Sequence, residues 1–189
     1  LWSVTQRWSV VDVLPVMSFR LATVGPLMDP MIVSLFIGCT TTVLSVGLAI
    51  AVLEYQLFRG HTRLHWVWWA FLWMPALPMS AGLLAWIYLV GGAPGIGPVI
   101  LGHTLIMLPY VMIVMSDAWF ARDARYQMIL NQSGLSRFLA VIQIWIPRHS
   151  QLLLIAAALA FSVSCALYTQ TVLLGGGRIE TLMTELMVA

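Results

Sequence analysis

The stretch that decides the fold is LHWVWWAFLWMPALPMSAGLLAWIYLVGGAPGIGPVILGHTLIMLPYVMIVMS, residues 64–116, which contains no Arg, Lys, Asp or Glu. A membrane-spanning helix needs about 20 predominantly apolar residues, so this stretch is too long for a single span. Its middle reads GGAPGIGP, residues 91–98, and glycine and proline clustered in this way mark a turn. The stretch therefore predicts two spans, over residues 66–90 and 99–118, with a turn between them.

Two further apolar runs flank this pair of predicted spans. Residues 31–53 carry no charge, and residues 149–174 form another run that ends at three consecutive glycines. The predicted fold class is therefore all-α, a polytopic transmembrane helical bundle with about four spans and a cytoplasmic loop. The predicted organisation is an outer or interfacial segment (1–30), three spans (31–119), a cytoplasmic loop (120–148), a span (149–174) and an outer tail (175–189).

The composition indicates that lipid is the main solvent of this chain. Hydrophobic residues make up 61% of it and charged residues only 8%, whereas about a quarter of a soluble domain is charged. The net charge of +2 comes from nine arginines against seven acidic residues, with no lysine. Because these charges are scattered and form no basic face, the sequence excludes a nucleic-acid-binding protein.

The placement of the arginines predicts the orientation. Six of them fall in the two loops that a four-span trace puts on one side of the membrane: Arg59, Arg63, Arg122, Arg125, Arg137 and Arg148. Short loops rich in arginine remain in the cytoplasm. We therefore expect the N-terminal segment, the turn at 91–98 and the tail that contains Arg178 on the outer side.

The second of these loops is long and amphipathic for a connection between membrane helices. It reads DAWFARDARYQMILNQSGLSRFLAVIQIWIP, residues 117–147. This pattern predicts two short helices against the membrane surface, with a break at residues 133–134, where glycine permits a backbone conformation that other residues avoid. Lipid cannot cover all of its apolar residues, which suggests a docking surface for a cytoplasmic partner.

Gly134 is followed, after nine residues, by Ile144, then by Ile146 and Pro147. This spacing resembles the second half of the cytoplasmic signature of bacterial binding-protein-dependent ABC importer permeases, which begins Glu-Ala-Ala, three residues, Gly and ends Ile-x-Leu-Pro. The residues around it that fit the same context are Asp123, Arg125 and Tyr126, where such permeases often carry Asp-x-Arg-Tyr, with Ser136 and Arg137 after the glycine.

Two other segments look like one branch of that family. The tail LLGGGRIETL, residues 173–182, is similar to the tail of permeases that serve thiamine, ferric iron and similar small solutes. The N-terminal RWSVVDVLP, residues 7–15, looks like the outer segment of a thiamine-type permease. The final span that usually follows the tail is missing, so we expect the chain to be a piece of a longer permease or of a fused double permease.

The resemblance implies a multi-pass permease subunit in the bacterial inner membrane that moves a small solute, such as thiamine. Its implied partners are a cytoplasmic ATP-binding subunit, a soluble periplasmic solute-binding protein, a second permease half or subunit, and the lipid bilayer. No cofactor, metal ion or catalytic residue is expected. The expected ATPase-docking residues are Gln127, Met128, Ile129, Leu130, Gly134, Ser136, Arg137, Ile144, Ile146 and Pro147.

The loop departs from the signature in its first half. The Glu-Ala-Ala positions are occupied by Met128, Ile129 and Leu130, and Ile146 stands in place of leucine. In the family, that glutamate helps a short coupling helix dock into a cleft of the ATPase. We therefore expect an apolar docking contact here, with Gln127 able to supply a hydrogen bond but no charge.

Two other functions stay open at this point. An ATP-independent secondary transporter or channel would carry ionisable residues near the bilayer midplane, and the charge-free runs contain none. An intramembrane enzyme would have to use His103 with Asp117, but these lie fourteen residues apart, about 21 Å along one helix. Such an enzyme would need a second polar catalytic group beside one of them.

Several residues inside the predicted spans have both a packing and a functional interpretation. His103 is interpreted as a packing histidine with satisfied hydrogen bonds, and a substrate contact is the alternative. Thr40–Thr42 and Tyr168–Gln170 are expected to form hydrogen bonds between helices, although those of the fourth span could also face a pathway. Cys39 and Cys165 are interpreted as small packing residues. The prolines that are expected to kink the spans are Pro75, Pro78 and Pro109.

Overall fold

The structure, a computed structural model, describes residues 28–59, 65–121, 134 and 136–188 of the chain. Every regular element in those ranges is helical, which confirms the predicted all-α fold class. The elements are α1 (Met28–Phe58), α2 (His65–Leu72), α3 (Ala76–Leu89), α4 (Ile96–Phe120), α5 (Arg137–Ala140), a π-helix (Val141–Trp145), α6 (Ile146–Arg148), α7 (Ser150–Ala166), α8 (Tyr168–Gly175) and α9 (Leu182–Val188).

The two longest helices, α1 and α4, are each long and apolar enough to cross a bilayer. Near the start of α1, Ile37 belongs to the same buried cluster as Val99 of α4. Near the end of α1, Leu53 belongs to a second cluster with Trp119. The two helices therefore run in the same direction, as the first and third spans of a bundle that crosses back and forth must do.

The helix predicted over residues 66–90 is interrupted at residues 73–75 and forms as α2 and α3. Pro75 has φ −62° and ψ 132°, an extended conformation. Proline lacks an N–H and disfavours the helical conformation of the residue before it, so the helix ends here, where a kink was expected. Pro78 lies in the first turn of α3, where N–H groups have no helical partner, and therefore leaves α3 intact.

Pro109 lies inside α4, which continues as a helix on both sides of it. Its ring removes one N–H, so the carbonyl of Leu105 loses its helical partner. Pro109 is itself buried, and such a defect is tolerated at membrane depth where protein surrounds it. The kink expected at this proline therefore does not divide the third span.

The apolar run over residues 149–174 also forms as two helices, α7 and α8, which meet at Leu167 with φ −80° and ψ 63°. At the start of the run the chain turns sharply at His149. Residues 141–148 and α7 make an angle of 81°. The fourth predicted span is thus bent at its start and interrupted near its end.

Two buried apolar clusters hold these helices together. The smaller cluster consists of Ile37, Ile87, Val99 and Leu174. The larger cluster consists of Ala49, Leu53, Met107, Val111, Met112, Met115, Trp119, Val141, Trp145, Ala156 and Ala160. Because the larger cluster includes residues of the loop that follows α4, part of that loop is built into the core of the bundle.

The turn at 91–98 and the glycine-rich tail meet at one end of the bundle, here called the turn end. The Gly95 N–H donates to the carbonyl of Leu174 at 3.0 Å, and a Cβ built on Gly176 would lie 3.0 Å from Pro94. Gly176 has φ +63°, a left-handed conformation that favours glycine. The structure thus joins two segments for which the sequence predicted the same side of the membrane.

Candidate functional site: a loop helix and a buried polar cluster

The segment that follows Gly134 is helical and is here called the loop helix, residues 137–148, made of α5, the π-helix and α6. Gly134 has φ +65°, is exposed, and would meet nothing within 4 Å if it carried a Cβ. The Leu139 N–H donates to the Ser136 Oγ at 3.4 Å, so the serine hydroxyl caps the first turn. Glycine therefore turns the chain, and serine starts the helix.

The loop helix has a buried face and an exposed face. Val141 and Trp145 are 6% and 1% exposed, whereas Leu139 and Ile142 are 42% and 43% exposed. Gln143 is exposed as well. The π-helix widens the turn that separates Val141 from Trp145. One face thus joins the larger apolar cluster, and the other presents apolar side chains at the surface of the chain.

The predicted docking residues are distributed over both faces. Ser136 and Pro147 are exposed, and Ile144 and Ile146 are half-buried, with Ile146 packed against the larger cluster. Arg137 supplies the first residue of α5. The predicted docking residues Gln127, Met128, Ile129 and Leu130 lie outside the described residues, as do Asp123, Arg125 and Tyr126 of the matching context. The docking role of this set therefore stays a prediction.

Two exposed apolar residues of the loop helix, Leu139 and Ile142, were not among the docking residues predicted from the sequence. Leu139 and Ile142 are three residues apart, the spacing that places side chains on one helical face. This spacing is visible in the sequence once the helix is known to start after Ser136. The exposure of these two side chains cannot be read from the sequence, because the same loop also carries the buried residues Val141 and Trp145.

Three aromatic rings in contact, here called the ring stack, join the loop helix to its neighbours. The ring centroids of Trp119 and Trp145 lie 3.7 Å apart, and the two rings are tilted at an interplanar angle of 48°. Those of Trp145 and His149 lie 4.3 Å apart at an interplanar angle of 13°. His149 Nδ1 lies 3.2 Å from the carbonyl oxygen of Trp145. The ring stack therefore connects the end of α4, the loop helix and the corner at the start of α7.

A second group, here called the polar cluster, comprises Thr41, His103, Ser164 and Thr171, and each is at most 4% exposed. The Nδ1 atom of His103 lies 3.0 Å from the Ser164 Oγ, and its Nε2 atom lies 3.2 Å from the Thr171 Oγ1. The Ser164 Oγ also lies 3.1 Å from the Thr41 Oγ1. These contacts link α1, α4, α7 and α8.

The hydroxyl groups fix the roles of the ring nitrogens in a neutral imidazole. Thr171 Oγ1 donates to the carbonyl of Leu167 at 2.8 Å, so it can only accept from Nε2–H of His103. The Nδ1 atom then accepts from the hydroxyl of Ser164. Both nitrogens are satisfied within the protein, which favours the packing interpretation of His103, because hydrogen bonds of this kind hold membrane helices together.

A small cavity of about 10 Å³ adjoins the polar cluster, and its lining includes Cys165, Thr181 and Met183. This volume holds about one water molecule. Cys165 and Cys39 both carry free thiols on helices, and both residues are exposed. The cavity lies where α9 and the tail fold back over the bundle.

The pairing of Ser164 with His103 supplies two members of a nucleophile–base arrangement, the condition that the enzyme alternative required. Acyl transfer also needs room for a substrate carbonyl and donors directed at its oxygen. A cavity of about 10 Å³ does not admit such a group. Asp117 is exposed at the far end of α4. The geometry is that of a satisfied polar contact between helices.

The fold and these two regions define a polytopic α-helical membrane protein in which a surface loop is anchored in the core by aromatic rings. No protein-family model matches the chain. It is similar to the inner membrane ABC transporter permease protein YnjC of Escherichia coli (strain K12), with 34% identity over 160 residues. The matched region covers 83% of the chain and 30% of that relative, so the chain spans about a third of the relative's length.

Proposed function

We propose that this chain is part of the membrane-spanning permease of an ABC transporter in a bacterial inner membrane, with a separate subunit supplying ATP hydrolysis. The observation that carries the proposal is the 34% identity to an inner membrane ABC transporter permease over 83% of the chain. The signature-like spacing from Gly134 to Pro147 also supports it, because Ile144, Ile146 and Pro147 lie on the loop helix that follows the glycine.

The finer proposal is an importer of a small solute. In this proposal a soluble periplasmic protein delivers the solute, and a second permease half or subunit completes the pathway. Its support is the resemblance of the loop to binding-protein-dependent importer permeases, and of the tail at residues 173–182 to the branch that serves thiamine, ferric iron and similar small solutes. The turn end, where the tail meets the 91–98 turn, would face the delivering protein.

The exposed face of the loop helix is the part that would contact the ATPase. Leu139 and Ile142 are each more than two-fifths exposed although they are large and apolar. Gln143 beside them offers an uncharged hydrogen-bonding group. An apolar contact of this kind agrees with the absence of the Glu-Ala-Ala sequence ahead of Gly134, because such a contact needs no carboxylate.

In the proposed mechanism the loop helix acts as a lever between the ATPase and the spans. Closure of two ATPase subunits around ATP would displace the loop helix. The spans would then change as rigid bodies between an inward-facing and an outward-facing arrangement. Apart from binding the ATPase, the chain contributes no chemistry to ATP hydrolysis in this mechanism.

The test is co-purification from native membranes of the full-length protein and two substituted forms. Ile142→Arg places a charge in the centre of the exposed face, and Gly134→Arg forces a side chain onto a residue with φ +65°. Gln151→Arg is the matched control, because Gln151 is exposed on α7 beyond the loop helix. We expect an ATPase subunit to co-purify with the unsubstituted protein and the control, and to be lost from both loop variants.

One outcome would contradict the proposed function, and another would contradict only the docking site on the loop helix. If mild detergent recovers no ATPase with the unsubstituted protein, the similarity reflects ancestry alone, and ion-coupled transport becomes the better hypothesis. If the ATPase is recovered equally with Ile142→Arg and with the control, the protein is a permease whose ATPase binds elsewhere.

A further inference from the structure

The ring stack joins three elements that the proposed mechanism must move together. Trp119 ends the third span, Trp145 lies in the loop helix, and His149 forms the corner from which α7 departs at 81°. The two tryptophans are at most 1% exposed. The loop helix therefore cannot shift without displacing one of these rings against another.

We propose that Trp145 is a positioning residue that transmits displacement of the loop helix to the third and fourth spans through Trp119 and His149. This inference rests on the proposed function. Close-packed interiors respond to displacement by shifting between discrete arrangements, because they resist continuous deformation. A ring held on both sides by other rings meets that requirement better than a flexible aliphatic side chain would.

The surroundings of Trp145 separate this role from that of the exposed face. Leu139 and Ile142 point away from the core, whereas Val141 and Trp145 belong to the larger apolar cluster. Removing the ring of Trp145 should leave the exposed face able to bind its partner. It should, however, remove the ring contacts that connect that face to α4 and α7.

The native Cys165 offers a readout at the end of α7 that lies away from the ring stack. Cys165 is exposed, and it lines the cavity beside the polar cluster together with Thr181 and Met183. A change in the arrangement of α7 and α8 should alter the rate at which a maleimide reaches this thiol. The readout needs no knowledge of the transported solute.

The experiment uses the full-length protein with its ATPase subunit in lipid nanodiscs, with Cys165 kept as the only cysteine in the permease. The rate of maleimide modification is compared without nucleotide and after trapping with ATP and vanadate. We expect a change of at least about fivefold in the unsubstituted protein, the lower end of typical coupling between sites. In Trp145→Leu the change in the modification rate should be less than about twofold, and the ATPase should still co-purify.

Two further variants and one control distinguish the loss of ring contacts from general destabilisation. Trp145→Phe keeps an aromatic ring and should retain the nucleotide response. His149→Leu removes only the imidazole ring and should lose most of the nucleotide response. Met107→Ala also empties part of the larger cluster, but it lies twelve residues from Trp119, about 18 Å along α4. It should destabilise the protein and keep the response.

An unchanged response in Trp145→Leu and in His149→Leu would overturn the inference and leave the proposed function standing. The inference would also be overturned if Trp145→Leu lost the ATPase, since Trp145 would then support docking itself. The absence of a nucleotide effect in the unsubstituted protein would show that no displacement reaches the cavity. Failure of any ATPase to co-purify with the unsubstituted protein would remove the proposed function and this inference together.

Discussion

The two ends of the bundle are held by different forces. At the turn end, the smaller cluster has four buried apolar residues, and the polar cluster beside it links four helices through hydroxyl groups and one imidazole. At the other end, here called the loop end, the larger cluster has eleven buried apolar residues and includes both tryptophans of the ring stack. α4 therefore passes from a polar contact at His103 to an aromatic contact at Trp119 along its length.

This difference bears on which end can rearrange. Lipid is as apolar as the helices, so association in a membrane depends on close packing and on hydrogen bonds, and an interhelical hydrogen bond contributes only about 0.6 kcal/mol on average. Hydroxyl groups can also exchange partners by rotation. The turn end is thus suited to opening and closing, and the loop end to moving as a rigid unit.

The largest expected effect is at the ring stack. Trp145→Ala should lower the free energy of unfolding by about 3–5 kcal/mol, since it removes a buried indole that its neighbours cannot replace. The measurement is unfolding in detergent, with Trp86→Ala as the control, because Trp86 is 55% exposed. Equal losses of the free energy of unfolding in Trp145→Ala and Trp86→Ala would mean that the loop end is not the stiffer region.

A smaller effect is expected where α1 passes close to α7 near the polar cluster. A Cβ on Gly38 would lie 2.7 Å from the ring of Phe161, so Gly38→Ala should destabilise the protein by about 1–3 kcal/mol through overpacking. Gly47→Ala is the control on the same helix, because nothing lies within 4 Å of its Cβ position. Alanine there should be neutral or stabilise the helix by up to about 1 kcal/mol. Thermal unfolding of both variants in detergent checks the pair, and a more stable Gly38→Ala would contradict it.

The smallest effect is expected within the polar cluster itself. Ser164→Ala leaves Nδ1 of His103 without its donor and should cost about 1 kcal/mol. Ser162→Ala is the matched control, because Ser162 is exposed on the same helix and bonds only its own turn, at the carbonyl of Ala158. The two are compared by chemical unfolding in mixed micelles. If Ser164→Ala lowered the free energy of unfolding by much more than Trp145→Ala does, the comparison between the two ends would be reversed.

The sequence was sufficient for α1 and α4 because their apolar runs are local signals. The runs over residues 31–53 and 99–118 lie within α1 and α4. The break before Pro75 was foreseen only as a kink, since proline predicts a defect but not how far the two parts diverge. The orientation and the docking residues stay predictions.

The contacts that distinguish the two ends could not be predicted. Thr41 and Ser164 are 123 residues apart in the chain, and no periodicity relates them. Trp119 and Trp145 likewise lie at opposite ends of the loop sequence over residues 117–147, and nothing in that sequence places their rings in contact. Hydroxyl groups in a membrane helix can bond to their own turn or across to another helix, and only the assembled bundle decides between these partners.

The shortness of α3 has a consequence for how the chain crosses the membrane. With 14 residues, α3 is about 21 Å long, while the hydrocarbon core of a bilayer is about 30 Å thick. α3 alone therefore does not reach across the hydrocarbon core. The second predicted span crosses the membrane only if α2, on the other side of the break at residues 73–75, supplies the rest of its length.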